Sequence, residues 1–216
     1  MTKLYIVRHG KTDFNEQGRY AGRADISLNA NGRQQTEELK QKIKDLNINI
    51  IISSPLKRAI ETAEIIKPND CKIISKPAFI ERSVGVYESL TKEEAKEKYP
   101  KLYAKNITRI LNEAPTGGET IAEVQNRVFA GLEKIKKSYS NSAPPQSPER
   151  DCGEQIKSRR SPRGETAAER GSDKNILIIA HAFVAKVINK YFNQQISEQD
   201  FFNFILPTAK IKEYRF

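Results

Sequence analysis

The chain of 216 residues has two cysteines, two histidines and no apolar run near membrane-span length. Each scarcity excludes something. Cys71 and Cys152 lack metal-ligand spacing, and one pair cannot make a disulfide framework, so structural or incidental thiols are expected. A membrane helix needs about 20 apolar residues, and the run Leu4–Val7 is too short even for a signal-peptide core. The expected location is the cytoplasm, with no membrane partner. A Walker-type glycine loop is absent, as is a carboxylate pair spaced for a metal, so neither a metal nor a cofactor is expected.

Charge is not scarce. The formal net charge is +10, from 37 Lys and Arg against 27 Asp and Glu. Bases and acids interleave, as in Lys92-Glu93-Glu94-Ala95-Lys96-Glu97-Lys98, which is the pattern of a solvated helix face. A small anionic substrate fits this balance better than nucleic acid, which is not expected as a partner. Monomer and homodimer both remain open.

Periodicity supplies the elements. Leu4–Val7, Ile48–Ile52, Lys72–Ser75 and "NILIIAH" read as buried strands, and "AKIKEYRF" alternates like an edge strand. "SLNANGRQQTEELKQKIKDL" predicts a helix of about four turns, with Asn29 and Asn31 as N-cap candidates. Ser54-Pro55 predicts a cap and first helical residue for "LKRAIETAEIIK". "GGETIAEVQNRVFAGLEKIKKSY" and "AFVAKVINKYF" predict two more helices, and the stretch from Pro77 to Pro115 reads as mostly helical and lid-like. Strands alternating with helices predict an α/β fold with helices on both sheet faces. Residues 140–173 break the pattern: they are poor in aliphatics, begin with three prolines in nine residues, and nearly balance acids and bases. A disordered surface insertion is expected there, within a single domain spanning 1–216.

The two histidines fall at comparable places. His9 follows the first strand and His181 the strand "NILIIA", and ligands of open α/β sheets bind beyond the carboxyl ends of strands. Arg8 adjoins His9, and Arg58 lies early in a helix that also begins after a strand end. Two guanidinium forks, a helix N-terminus and two imidazoles make a pocket for a dianion. Such a site points to nucleophilic catalysis at phosphorus by one imidazole, while the other donates to the phosphoryl oxygens. Neighbouring cations are expected to push the imidazole pKa values down. The leaving alkoxide needs a proton, and Glu81 in "FIERSVGVYES" is the candidate acid.

"RHGKTDFNEQGRYAGRADISLNANG", "SSPLKRAIETA", "ERSVGVYES", "GGET" and "LIIAHA", in that order, resemble the signature blocks of the histidine phosphatase superfamily, also called phosphoglycerate-mutase-like. The resemblance implies a three-layer α/β sandwich with a central, mostly parallel sheet and a lid over its strand carboxyl ends, at about 77–118. It implies that His9 becomes phosphorylated, that Arg8, Arg58 and His181 hold the phosphate, and that Glu81 donates a proton and later activates water. Asn15 and the Ala21-Gly22 turn would be further phosphate contacts. Two departures stand out. Ala182-Phe183 follow the second histidine where glycine is usual, which is expected to narrow the pocket or reposition a backbone donor. Glu88-Ser89 stands where the family has Glu-Gly.

Within that family the chain resembles the compact broad-specificity phosphatases more than the mutases. Val84 takes the place of a mutase tyrosine and only Arg109 stands where the mutases have a paired arginine, although Lys92 does match the mutase pattern, so few cations are expected to hold a second anion. Phe79, Val84, Val86, Tyr87 and Tyr103 predict an apolar lid for an organic group larger than a triose. The expected activity is hydrolysis of small organic phosphates through a phosphohistidine. Cofactor-dependent phosphoglycerate mutase, α-ribazole-phosphate phosphatase and a catalytically silent scaffold are the alternatives.

Overall fold

The computed structural model describes residues 2–68, 71–139 and 174–216. The insertion expected at 140–173, with Cys152 in it, lies outside the described residues. The strands are β1 (Lys3–Arg8), β2 (Ile50–Ser53), β3 (Lys72–Ser75), β4 (Asn175–Ala180) and β5 (Ile211–Arg215). The helices are α1 (Asp13–Glu16), α2 (Ala30–Ile43), α3 (Lys57–Ile66), α4 (Lys92–Lys98), α5 (Pro100–Ala104), α6 (Ile121–Tyr139), α7 (Ala182–Phe192) and α8 (Glu198–Asn203).

The strands form one sheet in the order β3-β2-β4-β1-β5. All pairings are parallel except that of β5, which runs antiparallel along β1 as the edge. β1 and β4 are apolar almost throughout because a central parallel strand is covered on both faces. Alternate residues face opposite ways. Leu4 and Ile6 join Ile176 and Ile178 against Val124, Val128 and Leu132 of α6 and Val184, Val187 and Ile188 of α7. Tyr5 and Val7 join Leu177 and Ile179 against Leu39 and Ile43 of α2 and Ala59, Ala63 and Ile66 of α3. Each large aliphatic buried in these layers contributes about 1.5–3 kcal/mol. Cys71 packs in the second layer as a buried thiol. Among the described residues no helix is long and apolar enough to cross a membrane.

Several element boundaries differ from the sequence expectation. Asn29 caps α2 by accepting from the Gly32 amide at 2.8 Å, while Asn31 lies inside the first turn and donates to Glu16. β2 begins two residues later than predicted, because Asn47 at φ 47° turns the chain first. α3 begins at Lys57 after Leu56, which makes no side-chain cap; Ser54 and Pro55 precede the helix. The lid is less helical than predicted. Apart from α4 and α5 it consists of irregular chain and single 3₁₀ turns at Pro77–Phe79, Gly85–Tyr87 and Ile107–Arg109. Pro77, Pro100, Pro115 and the left-handed Gly85, Asn106 and Gly117 interrupt the helical pattern. A small core of Tyr87, Ala95 and Ile107 holds the lid together.

Candidate active site

The carboxyl ends of β1 and β4 lie side by side, since Arg8 pairs with Ala180. The residue after each strand is a histidine, so the parallel register itself brings His9 and His181 together. Their ring centroids are 5.1 Å apart. Both side chains are buried.

His9 is held in a defined tautomer. Its Nδ1 lies 2.7 Å from the Gly10 carbonyl, which can only accept, so Nδ1 carries the proton and Nε2 the lone pair. Arg58 agrees with this assignment, donating from Nε to His9 Nε2 at 3.3 Å. The loop is tied to α3 as well: the Gly10 amide donates to Thr62 Oγ1, whose hydroxyl donates to the Arg58 carbonyl. His181 is the N-cap residue of α7. Its Nε2 lies 2.7 Å from Ser54 Oγ, and its buried Nδ1 has no hydrogen-bond partner among the described residues. Burial is the largest cause holding both imidazoles well below the ordinary histidine range; Arg58 comes second for each, and Arg8 adds to it. The expected direction holds, but desolvation outranks the cations credited from sequence.

Arg58 is fully buried despite standing in the first turn of a helix. Its Nη1 donates to the Ala24 carbonyl at 2.6 Å and its Nη2 to the Gly22 carbonyl at 2.8 Å. Gly22 adopts φ +48°, and a Cβ there would lie 2.5 Å from the Glu88 carboxylate, so both conformation and space require glycine. Arg8 donates from Nη1 to the Leu206 carbonyl, while its buried Nε has no partner among the described residues.

Arg8, His9, Arg58 and Glu81 line one cavity of about 340 Å³. Asn15, Ala21, Gly22 and Ala182 line it too. His181 is fully buried and packs its ring against His9. Glu81 is fixed by both oxygens: Oε1 accepts from the Arg82 amide at 2.8 Å and Oε2 from the Phe183 amide at 3.2 Å. The Ala182-Phe183 departure puts side chains at the cavity without removing the backbone donor of this turn. Both residues face the cavity, and the first turn of α7 supplies the backbone donor that orients the acid. Ser89, the other departure, adopts φ +68°, a conformation in which a residue with Cβ is strained by about 1–3 kcal/mol. Its amide donates to Tyr20 and its carbonyl accepts from Arg19, which hold it there.

The structure corrects the view of the lid. Arg19, Arg82, Arg109 and Lys186 line the same cavity, and among the described residues Glu81 is the only acid lining it. Arg82 is buried, donates to the Glu119 and Thr108 carbonyls, and stacks its guanidinium 4.9 Å from the Phe183 ring. Burial lowers its pKa to about 10. Arg109 lies over the Phe202 ring, and Lys186 donates to the Phe202 and Phe204 carbonyls. Of these cations the sequence had pointed only to Arg109. Two signals were available: Arg82 adjoins Glu81, and Lys186 is four residues from Ala182 on one helix face. Conversely, of the five apolar lid residues only Val84 lines this cavity. Phe79 lies in the main core and Tyr87 in the lid core.

Residues 4–143 match the family model described as histidine phosphatase superfamily (branch 1). The chain belongs to the histidine phosphatase superfamily. This superfamily member is 38% identical over 142 residues to the uncharacterized phosphatase PhoE of Bacillus subtilis (strain 168), covering 65% of this chain and 68% of that one. It is 35% identical over 142 residues to phosphoserine phosphatase 1 of Hydrogenobacter thermophilus, covering 65% and 67%. Among solved structures, the phosphoserine phosphatase of Entamoeba histolytica in complex with 3-phosphoglyceric acid superposes with a TM-score of 0.73 at 26% identity, covering 100% of this chain and 91% of that one. The histidine phosphatase described here is an enzyme of the phosphoric monoester hydrolase class.

Proposed function

We propose that this histidine phosphatase hydrolyses small phosphomonoesters through a phosphohistidine on His9, without a metal. The observation that carries this is the His9 Nε2 lone pair, fixed by the Nδ1–Gly10 hydrogen bond inside a cavity walled by Arg8 and Arg58. Nε2 attacks phosphorus as the ester oxygen departs with a proton from Glu81. Water then attacks the phosphohistidine, giving its proton to Glu81 and releasing inorganic phosphate. Arg8, Arg58 and His181 stabilise the charge that moves onto the phosphoryl oxygens. Asn15 and the Ala21-Gly22 turn border the same cavity and are assigned to the phosphate.

The test is p-nitrophenyl phosphate turnover in EDTA between pH 5 and 8. Turnover is expected throughout. Because His9 titrates below the ordinary histidine range, its nucleophilic form persists as the pH falls, and the acid limb of kcat/KM belongs below about 6.5. Absence of turnover across that range would favour the silent-scaffold alternative.

The substrate is assigned a second anionic group. Arg82, Arg109 and Lys186 line the cavity with Glu81, while Arg19 is paired with Glu94 at 2.7 Å, and this excess of cations suits a carboxylate or phosphate on the leaving group. An adjoining chamber of about 460 Å³ shares Tyr20, Thr108 and Arg109 with the cavity and adds Lys92 and Tyr103, leaving room beyond a triose. The same cations favour a mutase as the second reading. Supplying 3-phosphoglycerate with a trace of its bisphosphate separates the two: phosphate release is expected, and rapid isomerisation without release would favour the mutase. Arg109→Ala is expected to raise KM for O-phosphoserine or 3-phosphoglycerate about tenfold, the worth of one charge-assisted hydrogen bond, while leaving KM for p-nitrophenyl phosphate nearly unchanged. Equal changes for all three esters would remove Arg109 from substrate recognition.

A further inference from the structure

Ser54 reads from sequence as a helix cap, yet its hydroxyl does something else. The side chain is completely buried, and Oγ has two hydrogen-bond partners: the Leu56 amide at 3.4 Å and His181 Nε2 at 2.7 Å. The amide can only donate. Among the described residues, the sole acceptor for the Ser54 hydroxyl proton is therefore His181 Nε2. Were the bond reversed, with the proton on Nε2, the serine hydroxyl hydrogen would be buried without an acceptor, which folded proteins avoid.

We propose that Ser54 is a positioning residue that fixes His181 as the Nδ1–H tautomer, so that the ring's remaining polar edge offers a proton to the phosphoryl oxygens. A neutral imidazole has one donor and one acceptor nitrogen, and its neighbours choose which is which. Burial keeps His181 neutral. The opposite tautomer would turn a lone pair toward the anion and repel it. Nδ1 is the nitrogen left without a protein partner, as a donor reserved for substrate must be. His9 is set to the same tautomer by the Gly10 carbonyl. One tautomer thus serves two opposite tasks: His9 attacks through Nε2, and His181 donates through Nδ1. Ser54 keeps its own proton throughout.

The catalytic consequence rests on the phosphohistidine reading above; the tautomer itself does not. With only two histidines in the chain, a two-bond ¹H–¹⁵N imidazole spectrum contains two ring systems, assigned by recording the His9→Ala variant beside the native protein. His181 is expected to show a protonated Nδ1 and a lone pair on Nε2. Ser54→Ala is expected to lose this preference and to lower kcat on p-nitrophenyl phosphate about 10- to 100-fold, with KM changing less than about threefold. Ser54→Thr, which retains the hydroxyl, is expected to restore most of the rate. A native spectrum with the proton on Nε2 overturns the proposal, as does native kcat in Ser54→Ala. Should that variant fail to fold, the native spectrum decides alone. The expected tautomer in a protein inactive on every phosphate ester would instead sink the functional reading and leave this one standing.

Discussion

His9→Ala is expected to lower kcat by about 10⁴-fold or more on every phosphomonoester, because removing the nucleophile removes the covalent route altogether. The same substitution should abolish labelling of the protein by a phosphate donor, a label expected in the native enzyme to be acid-labile and alkali-stable, as phosphohistidine is. The variant should still fold. His9 contributes a ring at a strand end, outside the two apolar layers, and the Arg58 guanidinium that loses an acceptor on Nε keeps the Ala24 and Gly22 carbonyls. Circular dichroism checks that point, and single-turnover kinetics check the rest. Substantial activity in His9→Ala, or an undiminished phosphoryl label, would move the nucleophile elsewhere.

The second large effect is selective for the leaving group. Glu81→Gln removes the proton donor but keeps the shape. For an alkyl phosphate, whose alkoxide leaves poorly without a proton, the rate of phosphoenzyme formation is expected to fall about 10²- to 10⁴-fold. For p-nitrophenyl phosphate, whose phenolate is stable near neutral pH, the burst of nitrophenolate should change little. Steady-state turnover of both should slow, because the same carboxylate activates water in the second half-reaction. The amide of the variant also sets an N–H against one of the two backbone donors, Arg82 or Phe183, that hold the native carboxylate. Equal losses in the two bursts would show a positioning effect only and would refute Glu81 as the acid.

The lid shows how far local pattern could mislead. An apolar residue between polar neighbours looks like a wall of the cavity beside it. In the structure Tyr87 packs with Ala95 and Ile107 and borders the adjoining chamber rather than the cavity itself, because the lid must bury something of its own to hold its shape. The residues that do face the cavity include Arg82 and Lys186, which the pattern along the chain did not single out. Ser54 is the same kind of case. A serine before a proline and a helical pattern is a reasonable cap, and nothing local says that a histidine 127 residues away will claim its hydroxyl.

By itself the sequence determined the strands and most of the helices, through short continuous apolar runs, one alternating edge strand and helical periods near four. It also placed Arg8, His9, Arg58, Glu81 and His181 at the ends of elements, where an α/β sheet gathers its ligands. These features are local, and periodicity and turn chemistry are enough to write them. Only the tertiary structure decided which polar atoms meet: the Gly10 carbonyl on His9, Ser54 on His181, two amides on Glu81, and the ring of cations around them. A buried donor or acceptor takes whatever partner the packing brings within about 3 Å, and that choice is made across the sheet, between residues the chain keeps far apart.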